Sequence, residues 1–345
     1  MSAPRTDPPE HLRARRKAAR RTTRRRRYQA AGAFTALVVI VAGVALDNLT
    51  GSTGGSSPTP GSSSTPSAAG HGHAIAGAGN GARRTAAQTR PSTMHGTAAS
   101  GPGTGRPGSE AVPILMYHVI AAPPADAPFP GLYVLPSEFA AQMEALKQAG
   151  WHAVTLDQVQ AYWLRGVPLG PGKPIVVSFD NGYLSQYTQA LPVLRRLGWV
   201  GDENVQLTGL PPSQGGLSRR QVKGLVAAGW ELDTQGFSHA DLIALDAAEL
   251  HYQVAVARRT VQRRYDVPVN WFCYPSGHYN ATVIAAVRAA GYTGSTTVVP
   301  GWARPTEDRY RLHRLRVLGG TSPQTLLAEI AAIRTDPPAP TSYSG

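Results

Sequence analysis

Four stretches of this chain close in the same way: Ala149-Gly150-Trp151, Leu197-Gly198-Trp199, Ala228-Gly229-Trp230 and Ala290-Gly291-Tyr292. Each follows a run of helical character, and glycine there suits the left-handed residue that ends a helix. Apolar runs of strand length alternate with these helices: Ile114–Tyr117, His152–Leu156, Ile175–Phe179, Val205–Thr208, Glu231–Thr234, Asn270–Tyr274, Ser295–Val298 and Leu315–Leu318. Ser218 with Gln221, and Asp246 with Glu249, have capping-box spacing, and Ser322-Pro323 places an N-cap before a proline at the first helical position. Repeated strand–loop–helix units of this kind predict an α/β fold built on parallel strands. Seven or eight such units in about 225 residues favour a deformed (β/α)7-8 barrel over an open sheet.

The net charge of +13 suggests nucleic acid until its distribution is seen. Residues 1–30 carry eleven Arg and Lys against Asp7 and Glu10, whereas residues 111–345 carry nineteen against seventeen. The globular part is therefore nearly neutral and the basic excess is a tail. Behind that tail, residues 29–46 form an uncharged run of eighteen (QAAGAFTALVVIVAGVAL). As a helix it would be about 27 Å long, close to the ~30 Å hydrocarbon core of a bilayer. A dense arginine flank before such a segment predicts a cytoplasmic N-terminus and an exported remainder. Two readings stand: a retained signal anchor, favoured by a length beyond the usual ~7–15-residue signal core, or a cleaved signal peptide with a small-residue site near Gly43-Val44-Ala45. In both, the topology removes the nucleic-acid reading.

The remaining boundaries follow from composition. Residues 1–28 are the basic cytoplasmic tail and 29–46 the transmembrane anchor. Residues 47–110 are Gly, Ser, Thr, Pro and Ala with few large apolar side chains, which predicts a disordered tether. The folded domain runs over 111–334, and 335–345 is a flexible Pro/Ser-rich C-terminal tail. One cysteine, Cys273 in an apolar run, excludes an intramolecular disulfide and reads as a buried structural thiol.

In a barrel of this type, chemistry sits on the loops after the strands. Asp180 follows Ile175–Phe179, Gln235 follows Glu231–Thr234, and Pro275 follows Asn270–Tyr274. Asp180-Asn181-Gly182 is also ordinary turn chemistry, so a helix cap is a second reading of that tripeptide. His118 and His278 fall near the same end.

The segments Pro113–His118 (PILMYH), Val176–Gly198 with its Ser178-Phe179-Asp180-Asn181-Gly182-Tyr183, Gly229–Leu242 ending in Ser238-His239-Ala240-Asp241-Leu242, Phe272–Asn280 (FCYPSGHYN) and Tyr310–Val317 resemble, in order and spacing, the polysaccharide deacetylases (NodB-like carbohydrate esterases). The resemblance implies a hydrolase that removes N-acetyl groups from an N-acetylated polysaccharide, peptidoglycan or a related glycan, and the segment 29–46 would make it membrane-anchored and extracytoplasmic. It also implies a divalent metal, zinc or similar, that activates water and polarises the acetyl carbonyl. By position, the catalytic base is Asp180, the metal ligands are Asn181, Gln235 and His239, the oxyanion donor is the Ser276 backbone N–H, and the acid that protonates the leaving amine is His313. Two of the three ligand positions depart from the family pattern: Asn181 is neutral where a carboxylate is expected, and Gln235 offers an amide where an imidazole is expected. Zinc prefers His, Cys and carboxylate, so metal affinity should fall by orders of magnitude. The alternative function is a catalytically inactive member that binds wall glycan or scaffolds a partner.

Overall fold

A computed structural model describes residues 103, 105–210, 215–335 and 338–345. The basic tail, the segment 29–46 and most of the tether lie outside the described residues. Among those described, no helix is long and apolar enough to cross a membrane.

A curled sheet forms the centre of the fold. Its strands are β1 (Val112–Tyr117), β2 (Trp151–Ala153), β3 (Lys173–Asn181), β4 (Asp202–Val205), β5 (Glu231–Thr234), β6 (Trp271–Cys273), β7 (Gly294–Thr296), β8 (Trp302–Ala303) and β9 (Leu315–Arg316). They lie in the order β7-β6-β5-β4-β3-β1-β8, with β2 beside β3 and β9 beside β1. Except for the antiparallel β1–β8 pair, the strands run parallel. The two edges of the curl are bridged by one segment. Leu312 exchanges backbone hydrogen bonds with the β7 side through Ser295 O and Thr297 N–H, and β9 pairs with Leu115 and Met116 of β1.

Helices α1 (Pro136–Gln148), α2 (Leu156–Arg165), α3 (Leu191–Leu197), α4 (Arg219–Ala227), α5 (Ala247–His251), α6 (Ala257–Tyr265), α7 (Ala281–Ala289) and α8 (Pro323–Ala332) connect the strands. The expected caps are present: Ser218 accepts from Gln221 N–H, Asp246 from Ala248 and Glu249 N–H, and Ser322 from Thr325 N–H. Gly198 and Gly229 adopt φ of 72° and 88°, and the tryptophan after each donates its N–H back to Leu194 O and Leu225 O. This is the Schellman closure that the repeated glycine–aromatic pairs predict.

Alternation along the strands separates two environments. Leu115, Tyr117 and Phe179 face outward and pack with Phe139, Leu194 and Trp230 in one apolar cluster, where the Phe179 and Trp230 rings stack at 4.9 Å. Val205, Leu232, Phe272 and Tyr274 do the same in a second cluster under α6 and α7. The inward face is polar over much of its length, carrying Ser178, Asp180, Asp202, Asn204, Asp233, Cys273 and Arg314, all buried.

Two expectations are corrected. The fourth strand is Asp202–Val205 rather than Val205–Thr208, because it buries three polar residues that read as turn chemistry in sequence. The C-terminal tail is packed rather than loose: Tyr343 and Tyr279 exchange N–H···O bonds of 2.9 Å each way, and the Tyr279 hydroxyl donates to Pro340 O.

Candidate functional site

Asp180 stands on the inward face at the carboxyl end of β3, 1% exposed. Arg314 donates from Nη1 to its Oδ1 at 2.7 Å and from Nη2 to its Oδ2 at 2.9 Å. Asn204, its register partner on β4, donates from Nδ2 to Oδ1 at 3.0 Å, and the Cys273 thiol reaches Oδ2 at 3.4 Å. Burial alone would raise the Asp180 pKa, but the two-pronged Arg314 contact outweighs it and holds the carboxyl at about 2. Asp180 is therefore ionised, and its lone pairs are largely engaged.

Arg314 is itself fully buried, and its Nε donates to Thr297 O. No motif marks this residue in the sequence. A signal existed: Leu312, Arg314 and Arg316 alternate on a closing strand, which sends the two guanidiniums to the same face.

His118 follows β1 with its Nε2 3.9 Å from Asp180 Oδ2. Burial pushes its pKa down to about 4, against the pull of Asp180, so the ring is neutral at physiological pH. Its Nδ1 is buried without a partner. His239 has a left-handed backbone with φ of 53°, on the loop after β5. Its pKa is lowered by burial and raised in part by Asp180, which places both imidazoles within the field of that carboxylate.

The other expected residues gather at the same end in different states. Asn181 closes β3 with φ of 79°, a conformation that asparagine tolerates better than most residues, and donates from Nδ2 to Gln206 Oε1 at 2.8 Å. Gln235 extends the inward alternation of Glu231 and Asp233; it is 2% exposed, with Oε1 buried and unpartnered. Ser276 is exposed on the turn after β6 with φ of 56°. That turn's hydrogen bonds are donated by Gly277 and His278, which leaves the Ser276 N–H outside them. His313 differs from its expected role. It alternates with Arg314 and so faces away from the barrel interior, where its Nδ1 lies 2.6 Å from Glu307 Oε2 and its ring packs over Gly301.

The donor chemistry does not fit a tightly held divalent metal. Asn181 and Gln235 are neutral amides, His239 is one imidazole, and the carboxylate that could add charge is bound by Arg314. Among the described residues, no three His, Cys, Asp or Glu side chains are grouped to hold a metal ion. A buried guanidinium within 3 Å of the carboxylate further opposes a second cation.

Comparison with known proteins places this geometry. Residues 169–295 match the family model for polysaccharide deacetylase. The chain is 26% identical over 224 residues to the Bacillus subtilis protein YxkH, named as a candidate polysaccharide deacetylase, covering 65% of this chain and 77% of that one. The fold is that of the Streptococcus pyogenes deacetylase PplD, with a TM-score of 0.59 at 24% identity over 65% of this chain and 99% of that structure. A stretch of 85 residues is 32% identical to the Escherichia coli poly-beta-1,6-N-acetyl-D-glucosamine N-deacetylase, covering 25% of this chain but 12% of that protein.

Proposed function

We propose that this chain, which carries a polysaccharide deacetylase domain, takes an N-acetylated hexosamine polysaccharide at the barrel mouth around Asp180, His239 and Gln235. Its role there is recognition of the glycan rather than metal-dependent removal of its acetyl groups. One observation carries the reading: both Asp180 oxygens are held by Arg314 beside two neutral amides. A base held at about 2 is weakly basic, and general-base efficiency is best when the catalytic pKa lies near the working pH.

The mouth nonetheless keeps features a sugar amide could use. The exposed Ser276 offers a backbone N–H and a hydroxyl on the rim, and Gln235, 2% exposed, keeps an unpartnered Oε1. The second reading, N-deacetylation as in the named relatives, is favoured by the retained Asp180 and by the neutral His118 ring 3.9 Å away, an imidazole able to accept a proton. The membrane-proximal placement belongs to the same proposal. It rests on the eighteen uncharged residues behind the arginine-rich tail, which would hold the domain outside the membrane on a tether averaging roughly 45 Å.

The test is to incubate the purified chain with chitotetraose while measuring binding by calorimetry and free acetate enzymatically. Recognition predicts saturable binding with acetate at background. Sustained acetate release that disappears in Asp180→Asn would establish deacetylation and overturn the recognition reading.

A further inference from the structure

The inward row of the closing segment ends in a second guanidinium. Arg316 pairs in register with Met116 of β1, one inward position nearer the mouth than Arg314. It is half-buried, and its Nε is buried without a partner. Among the described residues no carboxylate lies in an ion pair with it, whereas Arg314 is matched by Asp180. Arg316 also acts on its surroundings: its charge opposes protonation of His118, and the fields of Asp180 and the Tyr343 hydroxyl reach it in turn. His118 is neutral at physiological pH, and Asn181 and Gln235 carry no charge. Asp241 stands farther out, exposed and 3.1 Å from His278 Nδ1. Inside the mouth, Asp180 cancels Arg314, and the charge of Arg316 is left uncompensated.

A half-desolvated guanidinium with free donors is a strong site for a planar or tetrahedral oxyanion, which it can grip with two parallel N–H···O bonds. We propose that the mouth selects glycans whose sugars carry an oxyanion, a carboxylate or a phosphate, with Arg316 as the specificity-determining residue. The inference rests on the glycan-recognition reading and names its substrate class. Neutral N-acetylglucosamine polymers would occupy the same mouth without the ionic contact.

The experiment titrates the full chain with four probes: chitotetraose, a tetrasaccharide alternating N-acetylglucosamine with N-acetylmuramic acid, N-acetylglucosamine 6-phosphate, and N-acetylglucosamine. The expected result is about tenfold or greater preference for an acidic sugar over its neutral counterpart, as for a charge-assisted contact. N-acetylglucosamine is the neutral counterpart of the phosphate probe. The acidic sugar with the larger preference identifies the group, and either one supports the proposal. Arg316→Gln should abolish the preference, and Arg316→Lys should retain most of it. Equal binding of neutral and acidic sugars by the native chain, or an unchanged preference in Arg316→Gln with a native unfolding midpoint, overturns the charge inference while the glycan reading stands. If none of the sugars binds, both fail together.

Discussion

At the scale of single residues, the account turns on the buried pair Asp180–Arg314. Taking both charges out of water is costly, and the arrangement persists because Asn204, Ser178, Thr297 and Cys273 supply the remaining hydrogen bonds. Removing one partner strands the other. Arg314→Met should therefore destabilise the domain by about 3–5 kcal/mol in denaturant unfolding, and Asp180→Leu with Arg314→Met should recover much of that loss. A loss below about 1 kcal/mol for the single variant would mean the pair is screened by solvent.

Glu203 gives a second test at this scale. It is fully buried with both carboxylate oxygens unpartnered, and burial, with the charge of Asp180, raises its pKa well above the usual range. A raised carboxyl pKa means the folded state holds a proton that the unfolded state releases. The stability this contributes is complete below the unfolded value, near 4, and is lost as pH rises toward the folded value. Glu203→Gln removes that dependence, so its stability relative to the native chain should grow by about 1.4 kcal/mol per pH unit from pH 5 upward. A difference independent of pH would show that Glu203 is ionised in the fold. Asp180 acts with the opposite sign: its stabilisation is present above an unfolded pKa near 4 and is lost as pH falls toward about 2.

Among the elements, the helix ends are where sequence and structure agree most closely. Gly198 has φ of 72°, and a Cβ there would meet nothing within 4 Å. Gly198→Ala should thus cost about 1–2 kcal/mol through backbone strain alone, measurable as a lowered unfolding midpoint. No effect would mean that the α3 terminus relaxes to another cap.

The element order, caps and outer-facing apolar strands were legible because period and punctuation carry them. The interior was not. β4 presents Asp202, Glu203 and Asn204, which read as loop, yet register with β3 and β5 buries all three. β8 spans two residues and leaves no period to detect. Within the site, loop position and motif single out Asp180, Asn181, Gln235 and His239 in the sequence, whereas Arg314 and Arg316 come to the same end only through the pairing of β9 with β1, a long-range fact. His313 shows how one step along the same strand reverses the face: it lies beside Glu307, whereas Arg314 next to it reaches Asp180.

For the whole molecule, shape and chemistry at the end of the curled sheet are separable. Three loops far apart in sequence meet at one end of the curled sheet, where the charge is an Asp180–Arg314 pair beside the neutral amides of Asn181 and Gln235. The C-terminal segment contributes to that end as well. Tyr343 pairs with Tyr279, and its ring centroid lies 6.5 Å from that of His278. Adding ligand charge at that end should create a metal site, because Asn181→Asp and Gln235→His are near in size to the residues they replace.

The most direct measurement is calorimetric titration of zinc into the native chain and into the Asn181→Asp, Gln235→His double variant. The account predicts no stoichiometric tight binding at the mouth of the native protein and a gain of at least about tenfold in affinity in the double variant, as expected when a carboxylate and an imidazole replace two amides. Stoichiometric, submicromolar zinc binding by the native chain that Arg314→Met leaves unchanged and His239→Ala abolishes would contradict it.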